Sequence, residues 1–167
     1  MEFRQALSQK IIELMKKDEK ICVLDADLSK PNGTSPIYKL FPERSFDVGI
    51  AEANMIGVAA GLSAYGYKPI AFTFAPFATR RVCDQIAVSV AYAKQNVKIV
   101  GTDPGIMAEL NGGTHMSFED IAVVRSIPTM VIYDAVDDIQ VSQAIEQIMN
   151  YNGPVYILSL IHISEPT

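Results

Sequence analysis

The stretch AEANMIGVAAGLSAYGYKPIAFTF, Ala51 to Phe74, sets a helix-forming run, a glycine stop and a strand in direct succession. Its first half is rich in Ala and Gly, so a helix there can approach neighbouring backbone closely, and Gly66 stands where a helix terminates. Its second half, KPIAFTF (68–74), has the short apolar character of a strand in a buried parallel sheet. Outward from this unit the same alternation repeats. Residues 3–17 set Phe3, Leu7, Ile11 and Leu14 on one helical face, with Arg4, Lys10, Glu13 and Lys17 on the other. Ile21-Cys22-Val23-Leu24 is a strand, followed by the loop DADLSKPNGT (25–34) and a short helix with Thr34 or Ser35 as cap and Pro36 in its first turn. Phe46-Asp47-Val48 is a weak strand.

After Phe74, the residues Ala78, Val82, Ile86 and Val90 repeat every four positions and predict a helix to about Ala93. VKIVGT (97–102) is the next strand, and a long loop leads to a helix over Ser117–Ser126, with Ser117 and Asp120 forming a capping box. TMVIYDA (129–135) is a strand, Asp137 to Asn150 a helix closed by Gly153-Pro154, and PVYIL opens a last strand. The pattern defines an α/β fold, one domain over 1–157, with a mainly parallel sheet and helices on both faces. Ligands of such sheets gather at the carboxyl ends of the strands, which directs attention to the loops after Leu24, Val48, Phe74 and Gly101.

Composition excludes several functions. Of 167 residues, 49% are hydrophobic and 20% charged, with 14 Lys and Arg against 19 Asp and Glu, so no concentrated positive field exists for nucleic acid or an anionic membrane. Apolar runs are broken well short of a membrane span. Met1 leads straight into an amphipathic pattern, so no signal peptide is expected, and Cys22 and Cys83 read as free thiols of a reducing, cytoplasmic setting. There is no glycine-rich phosphate loop, no nucleophile elbow and no zinc-ligand spacing.

What carries chemistry is VGIAEANMIG (48–57), where the carboxylate of Glu52 stands at the start of an otherwise apolar helix. One reading makes it a first-turn complement to the helix dipole. The other makes it a proton-sharing partner for a cofactor nitrogen, since apolar surroundings suit a carboxylate to that task. Phe74 and Phe77 fit either core at a strand end or an aromatic wall, and Asp27 fits an Asx-type turn or a site loop.

The order GIAEANM, YGYKPIAFTFAPFATRRVCDQI, GGTH and RSIPTMVIYDAVD resembles the pyrimidine-binding domain of transketolases and their thiamine-diphosphate relatives, collinearly from about Phe3 to Ile157. The resemblance implies that Glu52 hydrogen-bonds a ring nitrogen of the cofactor's aminopyrimidine, a proton relay that readies the thiazolium to attack a ketose carbonyl. It implies that Phe77 and Phe74 line the pyrimidine, that Asp27 lies near the cofactor, and that His115 contacts substrate oxygens. Asp103 and Asn111 stand where typical transketolases carry His and an acidic residue, so these two substrate-binding positions depart from the pattern. Arg80 falls near a position that is aromatic in many transketolases, and it is assigned no role.

The family holds the cofactor's diphosphate through Mg²⁺ with a Gly-Asp-Gly motif on another domain. None occurs in this chain, which resembles the second subunit of a split transketolase. An N-terminal, metal-holding partner subunit is implied, two such pairs completing two sites. The activity implied is ketol transfer between sugar phosphates. A deoxyxylulose-phosphate synthase, a 2-oxo-acid dehydrogenase β subunit and a non-catalytic binding module are the alternatives. The terminal LSLIHISEPT (158–167) resembles a translated sequencing-library adapter, reads as a non-native tail and is left out of the fold reading, so His162 and Glu165 take no role.

Overall fold

In the computed structural model the structure describes residues 3–159. The chain runs α1 (Phe3–Lys17), β1 (Ile21–Asp25), α2 (Ser35–Leu40), β2 (Ser45–Asp47), α3 (Glu52–Ala64), β3 (Lys68–Phe74), α4 (Ala75–Ala78) and α5 (Cys83–Gln85). It continues with β4 (Lys98–Thr102), α6 (Asp120–Arg125), β5 (Val131–Ala135), α7 (Asp138–Asn150) and β6 (Val155–Ser159). The strands form one sheet in the order β2-β1-β3-β4-β6-β5, and every pairing is parallel.

Alternation along the strands sorts the core into two layers, because successive side chains leave opposite faces. Val23, Ile70, Phe72, Val100 and Ile157 meet the apolar stripes of α1, α2 and α7. Leu24, Ala71, Ile99, Tyr156 and Leu158 meet α3, α6 and the segment after β3. Helices on both faces of a parallel sheet are what the sequence predicts, and β1, β4 and β6 are buried along their whole length.

Three local expectations are corrected. The helix predicted after Phe74 is composite: α4, a 3₁₀ turn over Arg80–Val82, α5, and a π-helical run over Ile86–Tyr92. Thr79 breaks it with φ −128 and ψ −86, its hydroxyl donating back to the Ala75 carbonyl at 2.7 Å. The capping box at Ser117 does not form. Ser117 Oγ is buried without a partner, its carbonyl accepts from Gly105 N–H at 2.8 Å, and α6 begins at Asp120. Thr34 occupies the N-cap position of α2, but its hydroxyl donates to Asp25 Oδ2 at 2.6 Å. By contrast Asp137 caps α7, accepting from Gln140 N–H at 2.6 Å, and Gly66 ends α3 at φ +86.

The boundary expected after Ile157 falls inside β6. Leu158 pairs with Gly101 and Asp134, and Ser159 with Thr102 and Ala135. Residues 160–167, with His162 and Glu165, lie outside the described residues. Gly101 is required by close packing, since a Cβ there would stand 2.3 Å from the Tyr156 hydroxyl. Lys98 is fully buried at the opposite end of β4, donating to Tyr151 O at 2.8 Å, Gly153 O at 2.7 Å and Asn96 Oδ1. Burial pushes its ammonium down to about 8. Among the described residues no helix is long and apolar enough to cross a membrane.

Candidate active site at the carboxyl ends of the strands

α3 places its first residue, Glu52, at the edge of the sheet where the strands end. The helix has no side-chain cap at Ala51, so a carboxylate in the first turn complements the unpaired N–H groups there. Glu52 is only 3% exposed, with Met55, Ile56 and Ala59 buried behind it. Its Oε1 accepts a hydrogen bond from Arg81 Nη1 at 2.8 Å.

Arg81 joins Glu52 to an aromatic cluster. Its guanidinium carbon lies 3.7 Å from the centre of the Phe77 ring, a cation–π stack. Phe77 is buried and tilts against Phe74 at 6.1 Å, and the His115 ring meets Phe77 edge-on at 5.1 Å and Phe74 at 6.0 Å. Four of the residues singled out in the sequence, Glu52, Phe74, Phe77 and His115, are therefore brought together, three of them in direct ring contact. Arg81 was missed by sequence reasoning. It neighbours Arg80 in the 3₁₀ turn Arg80–Val82, where successive side chains leave in different directions.

Arg80 points the other way and acquires a role. It donates to Glu119 Oε1 at 2.7 Å and to the Thr114 carbonyl at 2.9 Å, which ties the segment carrying His115 to the 3₁₀ turn after α4. Within that segment Thr114 Oγ1 lies 3.0 Å from His115 Nδ1, and His115 N–H donates to Gly112 O at 3.0 Å.

The other expected site residues make different contacts. Asp27, at φ +59 after β1, donates its N–H to Asp47 Oδ1 at 2.9 Å. The same oxygen accepts from Gly49 N–H at 2.9 Å, so the Asx-type turn proposed for Asp27 belongs to Asp47. Asp103, at φ +52 after β4, pairs with Arg4 of α1, and Arg4 also donates to the Pro31 carbonyl. Asn111 ends the 3₁₀ turn Glu109–Asn111 and is exposed, four residues before His115.

Between the Asp27 and Asp103 loops runs a buried polar chain absent from the sequence reading. Asp25 accepts from Asn32 Nδ2 and Thr34 Oγ1, each at 2.6 Å, and Asn32 Oδ1 accepts from Thr102 Oγ1 at 3.0 Å. Burial pushes the Asp25 carboxyl up to about 7. The network pins the loop of residues 26–34 to the end of β4. Among the described residues no group of three or more His, Cys, Asp or Glu stands close enough together to hold a metal.

A buried carboxylate beside an aromatic face, at the carboxyl ends of a wholly parallel sheet, is the arrangement of an α/β domain with its ligand site at the strand ends. A family model described as transketolase, pyrimidine binding domain, matches residues 1–159, and the chain belongs to that family. It is 54% identical over 147 residues to the 6-deoxy-6-sulfo-D-fructose transketolase subunit SqwH of Clostridium sp. (strain MSTE9), covering 88% of this chain and 46% of that protein. It is 34% identical over 149 residues to an apulose-4-phosphate transketolase subunit of Actinobacillus succinogenes, covering 89% of this chain and 48% of that one. Among solved structures, a split gene transketolase described as an inactive beta4 tetramer superposes with a TM-score of 0.84 at 43% identity, over 95% of this chain and 50% of its own. The chain spans about half the length of the curated relatives it matches.

Proposed function

We propose that this chain is the pyrimidine-binding half of a thiamine-diphosphate-dependent transketolase, transferring a ketol unit between sugars. The observation that carries the proposal is Glu52, a carboxylate at 3% exposure heading an apolar helix and linked through Arg81 to the face of Phe77. The site fits a flat, N–H-bearing ring: the planar Arg81 guanidinium already stacks on Phe77 while donating to Glu52. When bound, the cofactor supplies an electron sink for cleaving the bond beside a ketose carbonyl.

The chain's own residues do the rest. Glu52 donates a hydrogen bond from its carboxyl O–H to the ring nitrogen and shares that one proton with it, out of water. Phe74 and Phe77 give the ring an apolar face, and Asp27 lies on a loop at the same sheet edge. His115, held against both rings with a ring nitrogen toward Thr114, is placed to hydrogen-bond a substrate oxygen. Asn111 and Asp103 line the approach for substrate on the loop after β4. Asp103 is already paired with Arg4, so it shapes the charge of that approach as half of an ion pair.

The diphosphate and its Mg²⁺ are assigned to an N-terminal partner subunit, two pairs forming a heterotetramer. The substrates proposed are sugar phosphates of carbohydrate metabolism, with 6-deoxy-6-sulfofructose to be tested beside them because the SqwH relative is named for it. The test is the assembled pair of subunits assayed with a ketose phosphate, with 6-deoxy-6-sulfofructose, and with pyruvate plus glyceraldehyde phosphate. Turnover of either ketose, lost by at least about a hundredfold in Glu52→Gln with the complex still assembled, is the expected result. Turnover only with a 2-oxo acid, or an unimpaired Glu52→Gln enzyme, refutes the proposal.

A further inference from the structure

We infer that Arg81 is an internal occupant of the cofactor-ring site: its guanidinium fills the slot between Glu52 and Phe77 while the site is free and must leave before a ring is seated. The inference rests on the thiamine-diphosphate reading of the site and goes beyond it by assigning a residue that competes with the ring.

The geometry is specific. A guanidinium is planar and delocalised, with N–H donors around its edge, and it stacks on aromatic faces. Arg81 uses both properties at once, with Cζ 3.7 Å from the Phe77 centroid and Nη1 donating at 2.8 Å to Glu52 Oε1. An aminopyrimidine that lay on Phe77 and bonded Glu52 through a ring nitrogen would use the same face and the same carboxylate. The two occupants exclude each other.

The rest of the Arg81 environment fits a residue that comes and goes. Its side chain is 44% exposed, while the Glu52 side chain is 4% exposed. Among the described residues its guanidinium has no hydrogen bond except the one to Glu52. Arg80, one position earlier, is fastened to both Glu119 and Thr114. Arg81 can therefore swing into solvent by giving up only the two contacts that the ring would take over. While it stays, it satisfies a buried carboxylate whose isolation from water would otherwise be costly. The cofactor's apparent affinity is then its intrinsic affinity multiplied by the fraction of molecules in which Arg81 is out.

The experiment is a calorimetric titration of thiamine diphosphate with Mg²⁺ into the complex of this chain with its metal-holding partner, in wild type, Arg81→Met and Arg81→Lys. In parallel, thermal unfolding is measured on the cofactor-free chain for Glu52→Gln, Arg81→Met and the double variant. Removing the competitor is expected to tighten binding about fivefold in Arg81→Met, as for the loss of one part-exposed ion pair, and by less in Arg81→Lys. Arg81→Met alone is expected to lower the unfolding midpoint, and adding Glu52→Gln to restore most of it, since the carboxylate is no longer stranded.

Weaker binding in Arg81→Met overturns the inference by making Arg81 a ligand of the cofactor. Unchanged binding overturns it by making the pair a surface contact of no consequence. No binding in any protein, wild type included, with the subunits assembled, removes the thiamine-diphosphate reading itself.

Discussion

At the residue scale, two buried ionisable groups show how the same burial takes different forms. Lys98 is satisfied by three oxygens that belong to the loops before β4 and β6, so its charge fastens the bottom of the sheet. Asp25 is satisfied by two donors from the loop after β1, at the end of the sheet where the candidate site lies. Burial raises Asp25 from an ordinary 3.8 to about 7, so the folded chain binds more protons than the unfolded one between those values. That contribution to stability is full below about 3.8 and is lost as pH rises through about 7. Its size is at most about 4 kcal/mol. The unfolding midpoint should therefore fall between pH 5 and pH 8, and Asp25→Asn should flatten the fall. The variant should be the less stable protein at pH 5, because an amide accepts only one of the two hydrogen bonds offered. A midpoint with the same pH slope in both proteins would show that Asp25 is not the titrating group.

At the scale of elements, the segment from Ala75 to Tyr92 does most to build the site. Its four-residue apolar repeat was legible and its burial is as expected, with Ala78, Val82, Ile86 and Val90 all fully covered. The repeat does not distinguish an α-helix from a path that breaks at Thr79 and widens into a π-helix, because both bury every fourth residue. Arg80 and Arg81 are successive residues of the 3₁₀ turn that follows the break, and they leave it in different directions. Arg80 acts across elements by holding the loop that carries His115. Arg80→Ala should leave stability within about 1 kcal/mol, as expected for exposed contacts. Amide exchange over residues 112–117 should rise, and KM for the sugar should increase several-fold with kcat little changed. Equal exchange in the two proteins would release Arg80 from that role. The caps expected at Thr34 and Ser117 do not form for a related reason: the motif is local, but Thr34 bonds Asp25 and Ser117 joins Gly105 through its backbone. Tertiary partners outcompeted the nearest helix.

For the whole molecule, two apolar layers close the sheet, yet large apolar side chains remain outside. Ile50, Tyr65, Val88, Tyr92, Leu110 and Phe118 are all well exposed. With the diphosphate and Mg²⁺ held by a partner subunit as proposed, the chain by itself is expected to bind thiamine diphosphate with Mg²⁺ at least about a hundredfold more weakly than the assembled complex. Titration of the isolated chain against the complex checks this. Equal affinity in the two would place the diphosphate site on this chain and overturn the division of labour proposed.

The sequence by itself determined the layering, the strand count and the candidate Glu52, because apolar periodicity and a carboxylate at a helix start are local signals, while Phe74, Phe77 and His115 became site candidates through the resemblance to the family. Only the tertiary structure decided which arginine meets Glu52, which aspartate makes the turn beside Gly49, and that Asp103 is held by Arg4 from the far end of the chain. The physical reason is the reach of each interaction. Hydrophobic patterning is written every two or four residues along the chain. A hydrogen bond or a ring stack depends on the direction of two side chains, and those directions exist only after the sheet has brought its strand ends together.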